Sequence, residues 1–110
     1  MDNELSHKTC IPCSKGTTAL KGEQLHHYHE KLEGGWHIVE EHHLEKTYPF
    51  RDFADALAFV NKVGEIAEKE GHHPDIHLSY GRVKIQFWTH KIDGLSESDF
   101  ILAAKCDTIK

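Results

Sequence analysis

The strongest constraint on this chain is a long amphipathic segment that ends at a proline. Apolar residues recur every three or four positions over residues 53–67, which predicts a helix with one buried face. The apolar positions are Phe53, Ala56, Leu57, Val60, Val63 and Ala67. Gly71 can supply the left-handed residue that ends such a helix, and Pro74 prevents its continuation. Because a proline also disfavours helical angles at the preceding residue, we expect His72 and His73 to lie in a fixed, non-helical geometry.

Shorter patterns on either side of this helix predict an α+β fold. Asp52 is a plausible N-cap of the helix. Residues 76–80 and 83–87 alternate apolar with polar, and Gly81–Arg82 between them favours a tight hairpin. The other predicted elements are a first helix from Leu20 to Glu33 ended by Gly34–Gly35, strands over 36–40 and 44–48, and a third helix after Gly94–Leu95. The order α-β-β-α-β-β-α predicts a four-stranded antiparallel sheet with three helices packed on one face.

Length and charge limit what the chain can be. Its 110 residues fit one domain, which we place at residues 19–110 behind a loosely ordered lead over residues 1–18. The formal net charge of −5 argues against a nucleic-acid partner. No apolar run is long enough to span a membrane, and residues 1–15 lack the apolar stretch of a secretory signal. We therefore expect a cytoplasmic protein with no membrane partner.

Cysteines and histidines raise the alternative of a metal or redox site. The three cysteines, Cys10, Cys13 and Cys106, are odd in number, which argues against a disulfide framework. The Cys10–Cys13 spacing is typical of a redox pair or of half a zinc site, which histidines of the first helix could complete. Those histidines are His26, His27 and His29. We favour reduced thiols and solvated histidines over a zinc protein, and metal analysis of untagged protein would separate the two.

Polar side chains are spaced along the second half of the chain as Glu68-x3-His72-His73-Pro74-x5-Tyr80-x9-His90-x8-Asp99. Imidazoles without an obvious metal cage suggest proton transfer near neutral pH, since the ordinary pKa of histidine is about 6.5. There are plainer interpretations. A histidine at a helix end can simply bind the last carbonyl groups, and Asp99 occupies the last position of a capping box that starts at Ser96. The chain has no glycine-rich phosphate loop, so nothing in it indicates a nucleotide cofactor.

This spacing resembles the signature of the pterin-4a-carbinolamine dehydratases, also called 4a-hydroxytetrahydrobiopterin dehydratases. The resemblance runs from about Leu20 to Ala104 and includes further positions in family-like order. Those positions are Trp36, Phe50-Arg51-Asp52-Phe53, Phe59, Ala67-Glu68 and Thr89-His90…Gly94-Leu95-Ser96. The resemblance implies a hydro-lyase that converts 4a-hydroxytetrahydropterin to quinonoid dihydropterin, in tetrahydropterin recycling for aromatic amino-acid hydroxylation. It also implies a homodimer or homotetramer that needs no cofactor and no metal.

The resemblance implies roles for the histidines. His72 and His90 are the expected acid/base pair, because they come from a helix end and a strand end and can approach a substrate from different sides. Which of the two is the acid stays open. His73 is expected to orient the pterin by hydrogen bonding.

The remaining site residues keep more than one interpretation. Glu68 binds the pterin amino group, orients a histidine, or is a solvated carboxylate of the last helical turn. Asp99 can cap the third helix and support a histidine at once. Trp88 is a candidate for stacking on the pterin or, with some preference, for a subunit contact. Tyr80 is expected to pack rather than to react.

A non-enzymatic binding module is the main alternative function. Animal members of the family also act as dimerisation cofactors for a transcription factor, a role that a helix face would carry. Nothing in the sequence singles out such a face. The intact set of His72, His73 and His90 favours an enzyme.

Overall fold

The fold is an antiparallel sheet backed by helices, in the order that the sequence predicts. The structure is a computed structural model, and it describes residues 4–8 and 18–110. The described helices are α1 (Glu23–His29), α2 (Phe53–Glu70) and α3 (Glu97–Ile109), and the strands are β1 (His37–Val39), β2 (His43–Pro49), β3 (Asp75–Ser79) and β4 (Arg82–Phe87). The strands form one antiparallel sheet in the spatial order β1-β2-β4-β3. The α+β class and the order α-β-β-α-β-β-α are confirmed.

One face of the sheet forms the core. Val83, Ile85 and Phe87 of β4 are at most 1% exposed, as their alternation predicts. Their partners on β2 include Leu44 opposite Phe87 and Tyr48 opposite Val83, so the same face is buried across the two central strands. Helices α2 and α3 pack on the sheet, and α1 packs against α3. Because β4 is a central strand, the residues that follow it start from a well-fixed position.

Helix α2 has the caps that its sequence predicts. The side chain of Asp52 accepts the amide of Asp55 at 2.9 Å, which is an N-cap hydrogen bond. Gly71 has a φ of 68°, and the amide of His72 donates to the carbonyl of Ala67 at 3.2 Å. The helix therefore ends one residue before this glycine, and His72 begins the non-helical exit toward β3.

The buried face of α2 is rotated from the predicted stripe. Its fully buried residues are Ala56, Phe59, Val63 and Ala67. Phe53 and Leu57, which the stripe predicts to be buried, are 44% and 40% exposed. Each residue turns a helix by about 100°, so these two positions lie to one side of the line through the buried residues. The prediction was wrong for them because apolar spacing alone does not fix the centre of the stripe.

Helix α1 is shorter than predicted. It covers Glu23–His29 rather than residues 20–33. Gly22 has a φ of 54°, which lies outside the helical region and delays the start of the helix. Leu20 instead donates its amide to the carbonyl of Leu95 at 2.8 Å, so it pairs with the segment before α3. Leu20 and Leu32 lie outside the helix and pack against the core, so their helical spacing in the sequence does not reflect helical structure.

Two predicted strands also end earlier than expected. β1 stops at Val39, because Glu40 and Glu41 have φ values of 53° and 56° and form the turn to β2. β3 stops at Ser79, and Tyr80, which we expected to pack, is 69% exposed in the hairpin. Tyr80 continues the apolar alternation of Ile76 and Leu78 in the sequence, but it belongs to the hairpin turn. The strand was therefore predicted one residue too long.

A buried carboxylate joins α3 to the sheet. Asp107 accepts hydrogen bonds from Trp36 Nε1 at 3.0 Å, Lys46 Nζ at 2.8 Å and Tyr48 OH at 2.6 Å. Burial and the hydrogen bond to Asp107 raise the pKa of Tyr48 far above its ordinary value, so the phenol stays a neutral donor. These contacts fix the C-terminal half of α3 against the sheet.

The N-terminal residues are described only in part. Residues Glu4–His7 form a 3-10 turn in which Leu5 is fully buried. Cys10 and Cys13 lie outside the described residues, so the redox and zinc hypotheses stay predictions, as does the loosely ordered lead. No helix in residues 4–8 or 18–110 is long and apolar enough to cross a membrane.

Candidate active site

A pocket of about 430 Å³ opens where the ends of α2 and β4 meet. Its lining consists of Gly71, His72, His73, Trp88, Thr89, His90 and Lys91. A pocket of this size suits a small organic ligand. The structure therefore places the three histidines that the sequence singles out, together with Trp88, around one space.

His72 is held by a buried carboxylate. Its Nε2 lies 2.6 Å from Oδ1 of Asp99, whose side chain is fully buried. Oδ2 of Asp99 accepts the hydroxyl of Thr89 at 2.8 Å and the backbone amide of Ser96 at 2.9 Å. The second contact belongs to the capping box of α3. Asp99 therefore caps α3 and contacts His72 with the same carboxyl group.

The contact with Asp99 decides the tautomer of His72. An ionised carboxylate only accepts hydrogen bonds, so Nε2 of His72 carries the proton that Asp99 binds. In the neutral imidazole the lone pair then lies on Nδ1, which is the nitrogen left for a ligand.

His73 and Glu68 form a surface pair at the rim of the pocket. Nε2 of His73 contacts Oε2 of Glu68, and the two side chains are 59% and 78% exposed. A pair this exposed contributes little to stability. Glu68 is not part of the pocket lining, so among its proposed roles the geometry favours the orientation of a histidine.

His90 is held differently from His72. It begins a short 3-10 turn, His90–Ile92, which follows β4 and is closed by backbone hydrogen bonds between Thr89 and Gly94. Its ring stacks on Trp88, with centroids 4.5 Å apart and planes 16° apart. Nothing else in the described part of the chain binds its imidazole by a hydrogen bond or an ion pair. As far as residues 4–8 and 18–110 are concerned, both ring nitrogens of His90 are therefore open to a ligand.

Two residues of the pocket receive no role from the sequence. Thr89 is 6% exposed, and its hydroxyl contacts Asp99 and, at 2.8 Å, the hydroxyl of Ser96. Lys91 is an exposed cation on the pocket wall. Thr89 precedes His90 in the family-like order, which is the signal that could have found it. Nothing in the pattern distinguishes Lys91.

The described residues contain no cluster of side chains suited to hold a metal ion. In residues 4–8 and 18–110, no group of three or more histidine, cysteine, aspartate or glutamate side chains is arranged to hold a metal ion. His26 pairs with Glu30 at 3.0 Å on the surface of α1, and Nε2 of His29 lies 2.7 Å from the carbonyl of Trp36. These histidines therefore have local partners within the described residues.

The fold and the pocket together describe one class of protein. It is an α+β protein in which a buried carboxylate in the first turn of a helix contacts a histidine that lines a pocket. The family model described as "Pterin 4 alpha carbinolamine dehydratase" matches residues 18–109. The chain therefore belongs to the pterin-4a-carbinolamine dehydratase family, a family of hydro-lyases. The resemblance inferred from residue spacing is confirmed.

Relatives in this family match nearly the whole chain. A protein from Alkaliphilus metalliredigens, named "Putative pterin-4-alpha-carbinolamine dehydratase", is 52% identical over 105 residues, which cover 96% of this chain and 95% of the relative. A protein of the same name from Rubrobacter xylanophilus is 52% identical over 107 residues, which cover 97% of this chain and 99% of the relative.

Solved structures share the fold. The crystal structure of a transcriptional coactivator/pterin dehydratase from Brucella melitensis matches with a TM-score of 0.78 at 29% identity, covering 84% of this chain and 98% of that chain. A pterin dehydratase-like protein, identified as a RuBisCO assembly factor in the alpha-carboxysome, has a TM-score of 0.59 at 23% identity, covering 69% of this chain and 89% of that chain. The second likeness concerns the fold alone.

Proposed function

We propose that this chain catalyses the dehydration of a 4a-hydroxytetrahydropterin to a quinonoid dihydropterin. The observation that carries the proposal is the contact of His72 with the fully buried Asp99, in the wall of a pocket that His90 also lines. Burying a carboxylate costs desolvation energy. Capping of α3 explains why Oδ2 of Asp99 binds the amide of Ser96, but it does not require Oδ1 to bind a histidine of the pocket. Membership of the family supports the same reaction.

The reaction needs one proton donor and one proton acceptor. The C4a–O bond breaks and its electron pair leaves with the hydroxyl group, while the lone pair of N5 forms the new C4a=N5 double bond. Hydroxide is a poor leaving group, so an acid must protonate it to water. N5 then loses its proton to a base. The products are water and the quinonoid dihydropterin, and since nothing is oxidised or reduced, the balance requires no redox partner.

We assign the base to His72 and the acid to His90. The Nε2–H of His72 is bound to Asp99, which leaves the lone pair of Nδ1 to take the proton of N5. The carboxylate then stabilises the imidazolium, as in other catalytic histidine–carboxylate pairs. His90 is exposed, so it can protonate the leaving hydroxyl and regain a proton from water. One turnover moves one proton from His90 to His72, and exchange with solvent restores both.

His73 and Trp88 support the reaction without taking part in proton transfer. With Glu68 bound to its Nε2, His73 can accept a hydrogen bond from the pterin through Nδ1. One face of Trp88 is covered by His90, so the first partner of the indole is the proposed acid rather than the pterin. The interpretation of Trp88 as a subunit contact remains a prediction.

The proposed setting is the recycling of tetrahydropterin beside an aromatic amino-acid hydroxylase, by a homodimer or homotetramer. Phe53 and Leu57 support assembly, because they lie one turn apart on α2 and are 44% and 40% exposed, which leaves an adjacent apolar pair on the surface of the helix. Light scattering on the purified protein tests the assembly, and a monomeric mass would contradict it.

A stopped-flow assay with chemically generated 4a-hydroxytetrahydropterin tests the proposed reaction. His72→Ala and His90→Ala should each lower kcat by on the order of 10²-fold or more, the usual scale for a positioned acid or base. His26→Ala is the matched control, since His26 also pairs with a carboxylate, that of Glu30, but is not part of the pocket lining. Wild-type rates in both pocket variants would overturn the mechanism. A wild-type protein no faster than the uncatalysed reaction would favour the binding module.

A further inference from the structure

The turn that carries His90 has a second attachment outside the pocket. Asp93 ends this turn, and its Oδ1 lies 2.8 Å from Nε2 of His42, which precedes β2. Nδ1 of His42 lies 3.1 Å from Nδ1 of His43, the first residue of β2. Because β2 is hydrogen-bonded to β4, these contacts tie the far end of the turn back to the centre of the sheet.

The same two histidines contact Trp88. The ring of Trp88 has its centroid 5.4 Å from that of His42 and 6.0 Å from that of His43. The indole also stacks on His90. Trp88 therefore links the segment around His42 to the proposed acid, and its bulk limits the positions that the ring of His90 can take.

The backbone at both ends of the His42–Asp93 contact adopts an uncommon conformation. Within the described residues, the non-glycine positions with positive φ are Glu40 at 53°, Glu41 at 56° and Asp93 at 47°. The first two directly precede His42, and the third supplies its carboxylate. Such conformations persist where the surrounding structure determines them, and they are frequent at functional sites. The turn at Glu40–Glu41 places His42 and the left-handed backbone of Asp93 places its carboxylate, so both ends of the contact are positioned by turns of the backbone.

We propose that His42 and Asp93 are positioning residues for His90. They fix the outer end of the His90 turn and, through Trp88, the orientation of the imidazole. The inference rests on the proposed role of His90 as the acid. It gives His42 no contact with substrate, in agreement with its absence from the pocket lining.

The kinetic test compares His42→Leu with His42→Gln. Leucine removes the hydrogen bond to Asp93, whereas the glutamine amide can still donate from near the position of Nε2. We expect His42→Leu to lower kcat by about tenfold with less than about a twofold change in KM, the pattern of a slightly misplaced catalytic group. His42→Gln should restore most of the rate. The control, His26→Leu, removes another histidine–carboxylate pair, at 3.0 Å from Glu30, and should keep the wild-type kcat.

NMR of the histidine rings gives a readout that does not depend on activity. The ring current of Trp88 should shift the Cε1–H signal of His90 upfield, and the absence of this signal from His90→Gln assigns it. His42→Leu should move the signal toward its random-coil position, whereas His42→Gln and His26→Leu should leave it in place. EDTA in every sample removes any contribution from metal bound to the histidines.

Failure of this inference can be told apart from failure of the proposed function. An unmoved His90 signal together with wild-type kcat in His42→Leu would overturn the positioning role while leaving the dehydration intact. A wild-type protein without dehydratase activity, in which His42→Leu still moves the His90 signal, would support the positioning contact and refute only the reaction. If His42→Leu unfolds, Asp93→Gly gives the same test, because glycine keeps the positive φ while removing the carboxylate.

Discussion

Replacing Asp99 by asparagine separates its two roles, because the change keeps the shape of the side chain and removes its charge. Asp99 accepts hydrogen bonds from His72, Thr89 and Ser96. Asparagine has one acceptor oxygen and one donor amide. It can therefore accept hydrogen bonds either from His72 or from Thr89 and Ser96, but not from both sides. Its oxygen should face Ser96, because a backbone amide is an obligatory donor. Its NH₂ group then faces Nε2 of His72.

This orientation reverses the tautomer of His72. Nε2 must accept the hydrogen bond from the new amide, so the proton of the neutral ring moves to Nδ1, the nitrogen that we assign as the base. We expect Asp99→Asn to lower kcat by on the order of 10²- to 10⁴-fold, the upper end being the effect of the same substitution behind the histidine of a serine protease.

Asp99→Ala provides the contrast, because it removes every acceptor. Loss of the hydrogen bond from the amide of Ser96, the N-cap of α3, costs about 1 kcal/mol, and loss of the charge-assisted hydrogen bond to His72 costs about 1.5–3 kcal/mol. Thr89 keeps the hydroxyl of Ser96 as a partner at 2.8 Å, so it adds little. A total of about 3 kcal/mol should lower the Tm of a domain of this size by roughly 10–15 °C. Asp99→Asn keeps the cap and should lose less than about half as much.

Three measurements on wild type and both variants check this reasoning. Stopped-flow kinetics well below each Tm give kcat, calorimetry gives Tm, and ¹⁵N NMR of the imidazoles shows which nitrogen of His72 carries the proton. Wild-type kcat in Asp99→Asn would remove Asp99 from catalysis. A large loss of rate with the Nε2–H tautomer unchanged would refute the tautomer argument.

The rim of the pocket, the reaction and the core give further tests. His73→Ala should raise KM more than it lowers kcat, because His73 binds rather than reacts, and steady-state kinetics with an unchanged KM would exclude it from the substrate site. EDTA should leave the activity of untagged protein intact, because the reaction needs only proton transfer, and a loss that zinc restores would favour the zinc hypothesis. Burial raises the pKa of the Cys106 thiol, so the folded thiol stays neutral above about pH 8.5, where the unfolded thiol ionises. The free energy of unfolding should therefore fall by up to about 1.4 kcal/mol per pH unit between about pH 8.5 and pH 10, and Cys106→Ala should remove that slope in urea titrations; parallel slopes would contradict it.

A helix or strand could be predicted from the sequence where its capping residues or its apolar alternation lie within one short segment. Helix α2 has its N-cap at Asp52 and its left-handed residue at Gly71, and strict alternation marks β4. These two elements end at the pocket, so the predicted helix end and strand end correctly locate His72 and His90, whereas their pairing followed from the family resemblance. Where a local signal was ambiguous, as in the apolar stripe through Leu57, the prediction was wrong.

Contacts between distant segments could not be predicted. The place of Asp99 in a capping box is visible locally, but the direction of Oδ1 toward His72, 27 residues away, depends on how α2 and α3 pack. His42 and Asp93 are 51 residues apart, and Asp107 lies 71 residues from Trp36. Polar pairs of this kind follow no spacing rule, because the fold rather than the local chain brings them together.

His72 and His90, the proposed base and acid, are held by different contacts. Asp99 lies on α3, a helix that Asp107 also joins to the sheet, so the partner of the His72 ring is itself fixed by the fold. His90 depends on a ring stack and on the contact of His42 with Asp93, whose side chain is 88% exposed. Substitution of Asp99 by alanine should therefore lower both Tm and kcat, while His42→Leu should lower kcat with little change in Tm. Equal losses of Tm in the two variants would contradict this expectation, because the exposed His42–Asp93 contact would then stabilise the fold as much as the buried contacts of Asp99 do.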